Sequence, residues 1–212
     1  MKTKLLLLLF TIISIMFALT YTTYSKRPYY PTNPIDQALI KWVDYSQSNP
    51  QDITKSYSNL FTQEDKKFKE LFLNLGIEHL PEIIERVNDD RWGFLMIDCV
   101  QGMTKIKNVW NIGSSKEQRK AWLDKFKETV NSAEKRVKSK DDIQSLGLFA
   151  VPFIMDELEK ENYEYLEYLP DLVDEYTGLS KGELQKKDIA FWKRWSKKHE
   201  RDIKVLRNIA LQ

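Results

Sequence analysis

Residues 75–87, LGIEHLPEIIERV, and residues 146–158, LGLFAVPFIMDEL, decide the fold. In both, Leu-Gly is followed by an apolar residue, a proline and further apolar residues at helical spacing. These are Leu80-Pro81 with Ile83, Ile84 and Val87, and Val151-Pro152 with Ile154, Met155 and Leu158. Leu146 stands 71 residues after Leu75, and the correspondence runs on through Trp92 with Tyr163, Phe94 with Tyr165 and Leu95 with Leu166. After a two-residue insertion, Val100, Met103, Thr104 and Ile106 stand against Val173, Tyr176, Thr177 and Leu179. Each copy closes on a tryptophan-bearing helix, lined by Trp122, Phe126, Val130, Ala133 and Val137 in the first and by Trp192, Trp195, His199, Ile203, Leu206 and Ala210 in the second. The reading is two three-helix units, at about 63–138 and 139–212.

Working outward, the same helical period recurs in segment after segment. Ile35, Ala38, Leu39, Trp42 and Val43 form one stripe, Phe68, Leu71, Phe72 and Leu75 a second, and Trp92, Leu95, Met96, Cys99, Val100 and Met103 a third. A further helix is expected over 53–60, whereas no comparable run alternates with period two. Helix starts are marked where a hydroxyl can accept from an orphan amide of the first turn: Ser114 with Glu117, Ser180 with Glu183, and more weakly Thr62 with Asp65 and Ser139 with Asp142. With only 7 Gly and 7 Pro there is little material for the many tight turns of an all-β chain. The expected fold is all-α over residues 35–212.

One helical hairpin cannot cover its own apolar stripe, and stacking a second copy does so. The Leu-Gly, apolar-Pro and i/i+3/i+4 pattern over residues 68–103 and 143–176 resembles the hairpins of HEAT-like repeat proteins, where a Gly ends one helix and a Pro opens the next. HEAT-like units usually span ~40 to 47 residues, and this spacing is longer, with an added tryptophan helix per copy. The resemblance implies a short, irregular α-solenoid of the kind that commonly serves as a binding scaffold.

Ahead of this domain, Met1 to Lys4 give a basic start, and Leu5 to Leu19 a nearly pure apolar run interrupted by Thr11 and Ser14. This is the pattern of an export signal. Ala18 and Thr20, or Thr23 and Ser25, are small enough for cleavage. With Tyr21 to Tyr24 included, the run also reaches the ~17 to 25 residues that span a bilayer. Residues 1–25 are therefore expected to be a signal peptide or an uncleaved membrane anchor, and the remainder to be extracytoplasmic, secreted or tethered. Pro28, Pro31 and Pro34 mark residues 26–34 as an extended linker.

Loss of Lys2 and Lys4 with that segment leaves equal numbers of basic and acidic residues, which argues against a nucleic-acid partner. One cysteine, Cys99, precludes an intramolecular disulfide, and with two histidines there is no cysteine or histidine cluster at zinc spacing. Cys99 lies on an apolar stripe between Met96 and Met103 and reads as a packed thiol. His199 likewise reads as packed or capping. Glu78, His79 and Glu82 are potential metal ligands, yet carboxylates also favour the positive end of a helix. No Gly-x-Gly-x-x-Gly, Walker or Gly-x-Ser-x-Gly motif is present, so no cofactor and no catalytic residue is expected. Trp42, Trp92, Trp122, Trp192 and Trp195 fall on apolar stripes and are assigned to the core, with Trp110 in a loop.

Charge is segregated along the chain. Asp156 to Glu175 holds nine acidic residues and one basic, and Lys181 to Arg207 holds ten basic and four acidic. Glu164, Glu167, Asp171 and Asp174 follow helical spacing and are the candidate binding face for a cationic partner, after partial pairing with the basic helix that follows. Together these features point to an extracytoplasmic helical scaffold that binds a protein or peptide. The alternative is a cell-envelope hydrolase using a carboxylate acid/base pair.

Overall fold

A computed structural model describes residues 32–48, 66–89, 91–107 and 115–212. Contacts divide the chain into a unit ending at Gln37 and a compact unit from Ala38 to Gln212. The segment 1–25, the linker up to Pro31, the helix expected at 53–60, the Thr62 cap and Trp110 lie outside the described residues. Among the described residues the chain is predominantly helical and has no strand. No helix there is long and apolar enough to cross a membrane.

In chain order the helices are α1 (Pro34–Ser48), α2 (Lys66–Phe72), α3 (Leu80–Glu85), α4 (Gly93–Thr104), α5 (Lys116–Asn131) and α6 (Ala133–Arg136). They continue as α7 (Lys140–Leu146), α8 (Val151–Glu159), α9 (Leu169–Thr177), α10 (Lys181–Leu184), α11 (Ile189–Lys198) and α12 (Glu200–Ala210). α1 begins one residue earlier than expected, at Pro34, which the sequence placed in the linker. Proline lacks the N–H that a first helical residue would leave unpaired, and the Asn33 side chain accepts from the Ile35 amide at 2.8 Å. Trp42 of α1 is 4% exposed and meets the edges of Phe68 and Phe72 of α2 at 6.0 and 6.2 Å.

The two Leu-Gly-Pro stretches take similar local forms. Gly76 and Gly147 both have positive φ, 92° and 57°. Each is followed by or opens a 3-10 turn, Ile77–His79 or Gly147–Ala150, and then a helix with proline in its first turn. Ile83 and Ile154 are both fully buried. Further on, α4 and α9 stop in the same way. Each ends on a left-handed residue, Lys105 or Gly178, preceded by a threonine whose hydroxyl accepts from the amide two residues on, at 3.4 Å from Ile106 and 3.2 Å from Leu179. Ser115 then caps α5, whereas after α9 the short α10, capped by Ser180, intervenes before Asp188 caps α11.

The contacts of the two glycines differ. A Cβ on Gly147 would lie 2.1 Å from the Thr104 carbonyl oxygen, whereas one on Gly76 would meet only the carboxylate of Glu78. Gly147 thus lets the start of the second stretch close on the end of α4, where the Lys107 amide also donates to the Ser145 carbonyl at 2.8 Å. α12 packs against α3, α5, α8 and both 3-10 turns, so the C-terminal helix joins the two halves of the core. Arg207 fixes it there: its guanidinium donates to both Asp156 oxygens at 2.7 and 2.6 Å and to the Pro152 carbonyl at 2.9 Å.

Three local expectations are corrected. The capping box before α5 pairs Ser115 with Gln118, and the expected Ser114 lies outside the described residues. That start turns Trp122, Leu123, Phe126 and Val130 inward together. The last tryptophan helix is two helices broken at His199, whose ring stacks on Trp195 at 4.7 Å while Nδ1 lies 3.3 Å from Asp202. Finally, Glu164 to Glu175 is not one helix. Tyr163–Glu167 is a 3-10 segment and α9 starts afresh at Leu169, because Pro170 has no N–H to donate into a preceding turn and is tolerated only in the first turn of a helix.

A groove beside the acidic segment

After α8 the chain turns back at Glu161, one of two described non-glycine residues with positive φ (68°), and Asn162 is tied to Glu157 by its side chain at 2.5 Å and its amide at 3.0 Å. This turn carries the 3-10 segment out along the surface. Tyr165 anchors it, donating to the Val137 carbonyl at 3.4 Å and meeting Tyr168 edge-on at 6.2 Å. Leu169, Leu172 and Val173 then bury the inner side of α9. Between the 3-10 segment, the start of α9, α10 and the first turn of α11 lies an open groove of about 630 Å³.

Three of the four expected face residues, Glu164, Glu167 and Asp171, line this groove, and Asp174 does not. The break at Pro170 is the reason: the i, i+3, i+7, i+10 spacing holds only along a continuous helix. Asp171 pairs with Lys181 at 2.5 Å, and Asp174 pairs with Lys105 at the end of α4. Lys181 on Asp171 and Arg207 on Asp156 join the acidic and basic segments, whereas Asp174 is taken by Lys105 from outside both. Glu164 and Glu167 are exposed, with no basic partner in ion-pair contact among the described residues. Interaction with the neighbouring Glu167 carboxylate, burial and the charge of Glu164 lift Tyr168 above its ordinary pKa.

The opposite wall was not legible beforehand. Lys140 at the start of α7, with Lys181 and Lys187 around α10, face the same groove, so it carries both signs of charge. Tyr163, 46% exposed, adds an open aromatic face at its rim. Lys187 also stands 5.4 Å over the Phe191 ring.

Cys99 is fully buried, and burial, reinforced by the charge of Asp98, holds its thiol far above its ordinary pKa. Glu82 is taken up by Arg86 at 3.0 and 2.7 Å, and among the described residues no three His, Cys, Asp or Glu side chains group as metal ligands would. Trp42, Trp122 and Trp192 are core residues, while Trp92 and Trp195 are half-buried. One group escaped the sequence reading. Asp98 sits inside the apolar run FLMIDCV of α4, and burial pushes its carboxyl up to about 7. It does not line the groove. No protein-family model matches the chain, and neither a curated protein nor a solved structure matches it.

Proposed function

We propose that the chain is a non-catalytic, extracytoplasmic helical scaffold whose groove holds an extended peptide segment of a partner protein. The observation that carries this reading is the pair of exposed carboxylates without a basic partner, Glu164 and Glu167, beside the open face of Tyr163 in a groove of about 630 Å³. A cationic side chain placed there gains two carboxylates and a ring face. Lys140 and Lys187 across the groove suit a carboxylate of the same peptide. The ligand class is therefore a segment of mixed charge, and not the purely cationic partner that the acidic run alone suggests.

The architecture in this proposal is a short HEAT-like α-solenoid of two units. In its favour are the shared glycine, proline, threonine-turn and helix-cap positions, and the one-sided packing of Gly147 on α4. All of the groove's lining residues, between 140 and 192, fall in the second unit, so the peptide site of this proposal lies within that unit. Export, with residues 1–25 as a cleaved signal or a retained anchor, is supported by the basic start and the apolar run.

The test is fluorescence anisotropy with three labelled dodecapeptides: one mixed Lys/Glu, one all-cationic and one all-anionic. The mixed peptide should bind most tightly. Charge reversal at Glu164→Lys/Glu167→Lys should weaken it about tenfold or more, equivalent to ~1.4 kcal/mol, and leave the Tm within about 2 °C because exposed charges contribute little to stability. Unchanged binding by the variant, or preference for the anionic peptide, would remove these residues from the site.

A further inference from the structure

α11 and α12 carry six exposed cations, Lys193, Arg194, Lys197, Lys198, Arg201 and Lys204. None of these side chains has an ion pair or hydrogen bond to another described residue. The acidic residues nearby do not neutralise them. Asp188 caps α11, accepting from the Phe191 amide at 2.8 Å, and Asp202 faces His199 at 3.3 Å; with Glu200 these are three carboxylates against six cations. On the ten-residue α11 the four cations fall at i, i+1, i+4 and i+5, within one arc of the helix, while Trp192 on the other side is 1% exposed and fastens the helix to the core. Phe191 and Trp195 border the cationic arc and are only half-buried. Cations bordered by half-exposed aromatic rings are the chemistry of a bilayer interface, where ammonium and guanidinium groups meet lipid phosphates and rings sit at headgroup depth.

We propose that α11 and the first turns of α12 form a docking surface for an anionic lipid bilayer. Charge complementarity selects this occupant. A chain whose residues 5–19 read as an export or anchor segment is delivered to a membrane, and each cation near an anionic surface raises residence there roughly fivefold. Binding of this kind is electrostatic and falls with salt. The surface is separate from the peptide groove, to which α11 contributes only the buried Trp192.

The experiment is lysine acetylation footprinting of the full chain, read by mass spectrometry, with vesicles of phosphatidylcholine alone or containing about one third phosphatidylglycerol. At low salt, Lys193, Lys197, Lys198 and Lys204 should be acetylated at least about threefold more slowly on the anionic vesicles. Exposed Lys120 and Lys127 of α5 should react alike on both. Raising salt to about 0.5 M should abolish the difference. In the variant Lys193→Gln/Arg194→Gln/Lys197→Gln/Lys198→Gln, protection of Lys204 should fall to the neutral-vesicle level. Equal rates on both vesicles would overturn the proposal, as would equal slowing at Lys120 and Lys127, stronger protection by soluble heparin, or protection that grows with protein concentration in the absence of lipid. Peptide anisotropy measured in parallel separates the two readings, since intact groove binding without lipid protection removes only this one.

Discussion

Gly147→Ala should lower the melting temperature by about 10 °C or more, and Gly76→Ala by less than half of that. Both positions have positive φ, which costs a non-glycine residue ~1–3 kcal/mol. Only at Gly147 does the new methyl also meet backbone, with the Thr104 carbonyl oxygen 2.1 Å away and the Ile106 nitrogen at 2.8 Å. Neither group can swing aside, so the start of α7–α8 must withdraw from the end of α4. At Gly76 the obstacle is the Glu78 carboxylate at 2.3 Å, the far end of a flexible side chain that can turn into solvent. A combined cost of ~4 kcal/mol against ~1–2 kcal/mol translates, at ~2–4 °C per kcal/mol for a chain of this size, into the difference stated. Thermal unfolding of the two variants checks it. Equal shifts would mean that the close approach at Gly147 carries no weight in holding the two halves together.

Asp98→Asn should stabilise the protein at pH 8 and leave it nearly unchanged at pH 3. Burial raises the folded-state carboxyl from 3.8 to about 7. Well below pH 3.8 the group is protonated in both states and contributes no penalty. As pH rises, the unfolded chain ionises first, and stability is lost until the folded carboxyl ionises too, near pH 7. At ~1.4 kcal/mol per pKa unit the full shift would exceed 4 kcal/mol. The side chain keeps some contact with water, so ~1–3 kcal/mol is the expected loss. Asparagine has the same shape and no charge, and should raise the melting temperature at pH 8 by about 3–8 °C. A gain of the same size at both pH values would trace to packing and not to ionisation.

Much of the helical fold was legible because its signals are local. The apolar stripes of α1, α4 and α5, the Ser180 and Ser139 caps and the first-turn prolines Pro81 and Pro152 each act within a few residues of themselves. The errors came from local signals given too little weight. Pro170 stands in the middle of the supposed acidic helix and splits it, and the acidic Glu200 and Asp202 mark a fresh helix start after His199. Asp98 was equally visible, as a lone carboxylate among apolar neighbours. The groove was only half legible for a different reason. Glu164, Glu167 and Asp171 are close in sequence, but Lys140 joins them from before α8 and Lys181 and Lys187 from beyond α9. No spacing rule connects those segments. The pairing of Lys105 with Asp174 is non-local in the same way.

The most direct measurement of the peptide-binding claim is amide chemical-shift mapping of the labelled protein during titration with the mixed-charge dodecapeptide. Shifts are predicted to concentrate at residues 162–171 and 181–187, the two banks of the groove, and to vanish in the Glu164→Lys/Glu167→Lys variant. Saturable shifts clustered elsewhere, or none at these two segments at peptide concentrations near a millimolar, would contradict it.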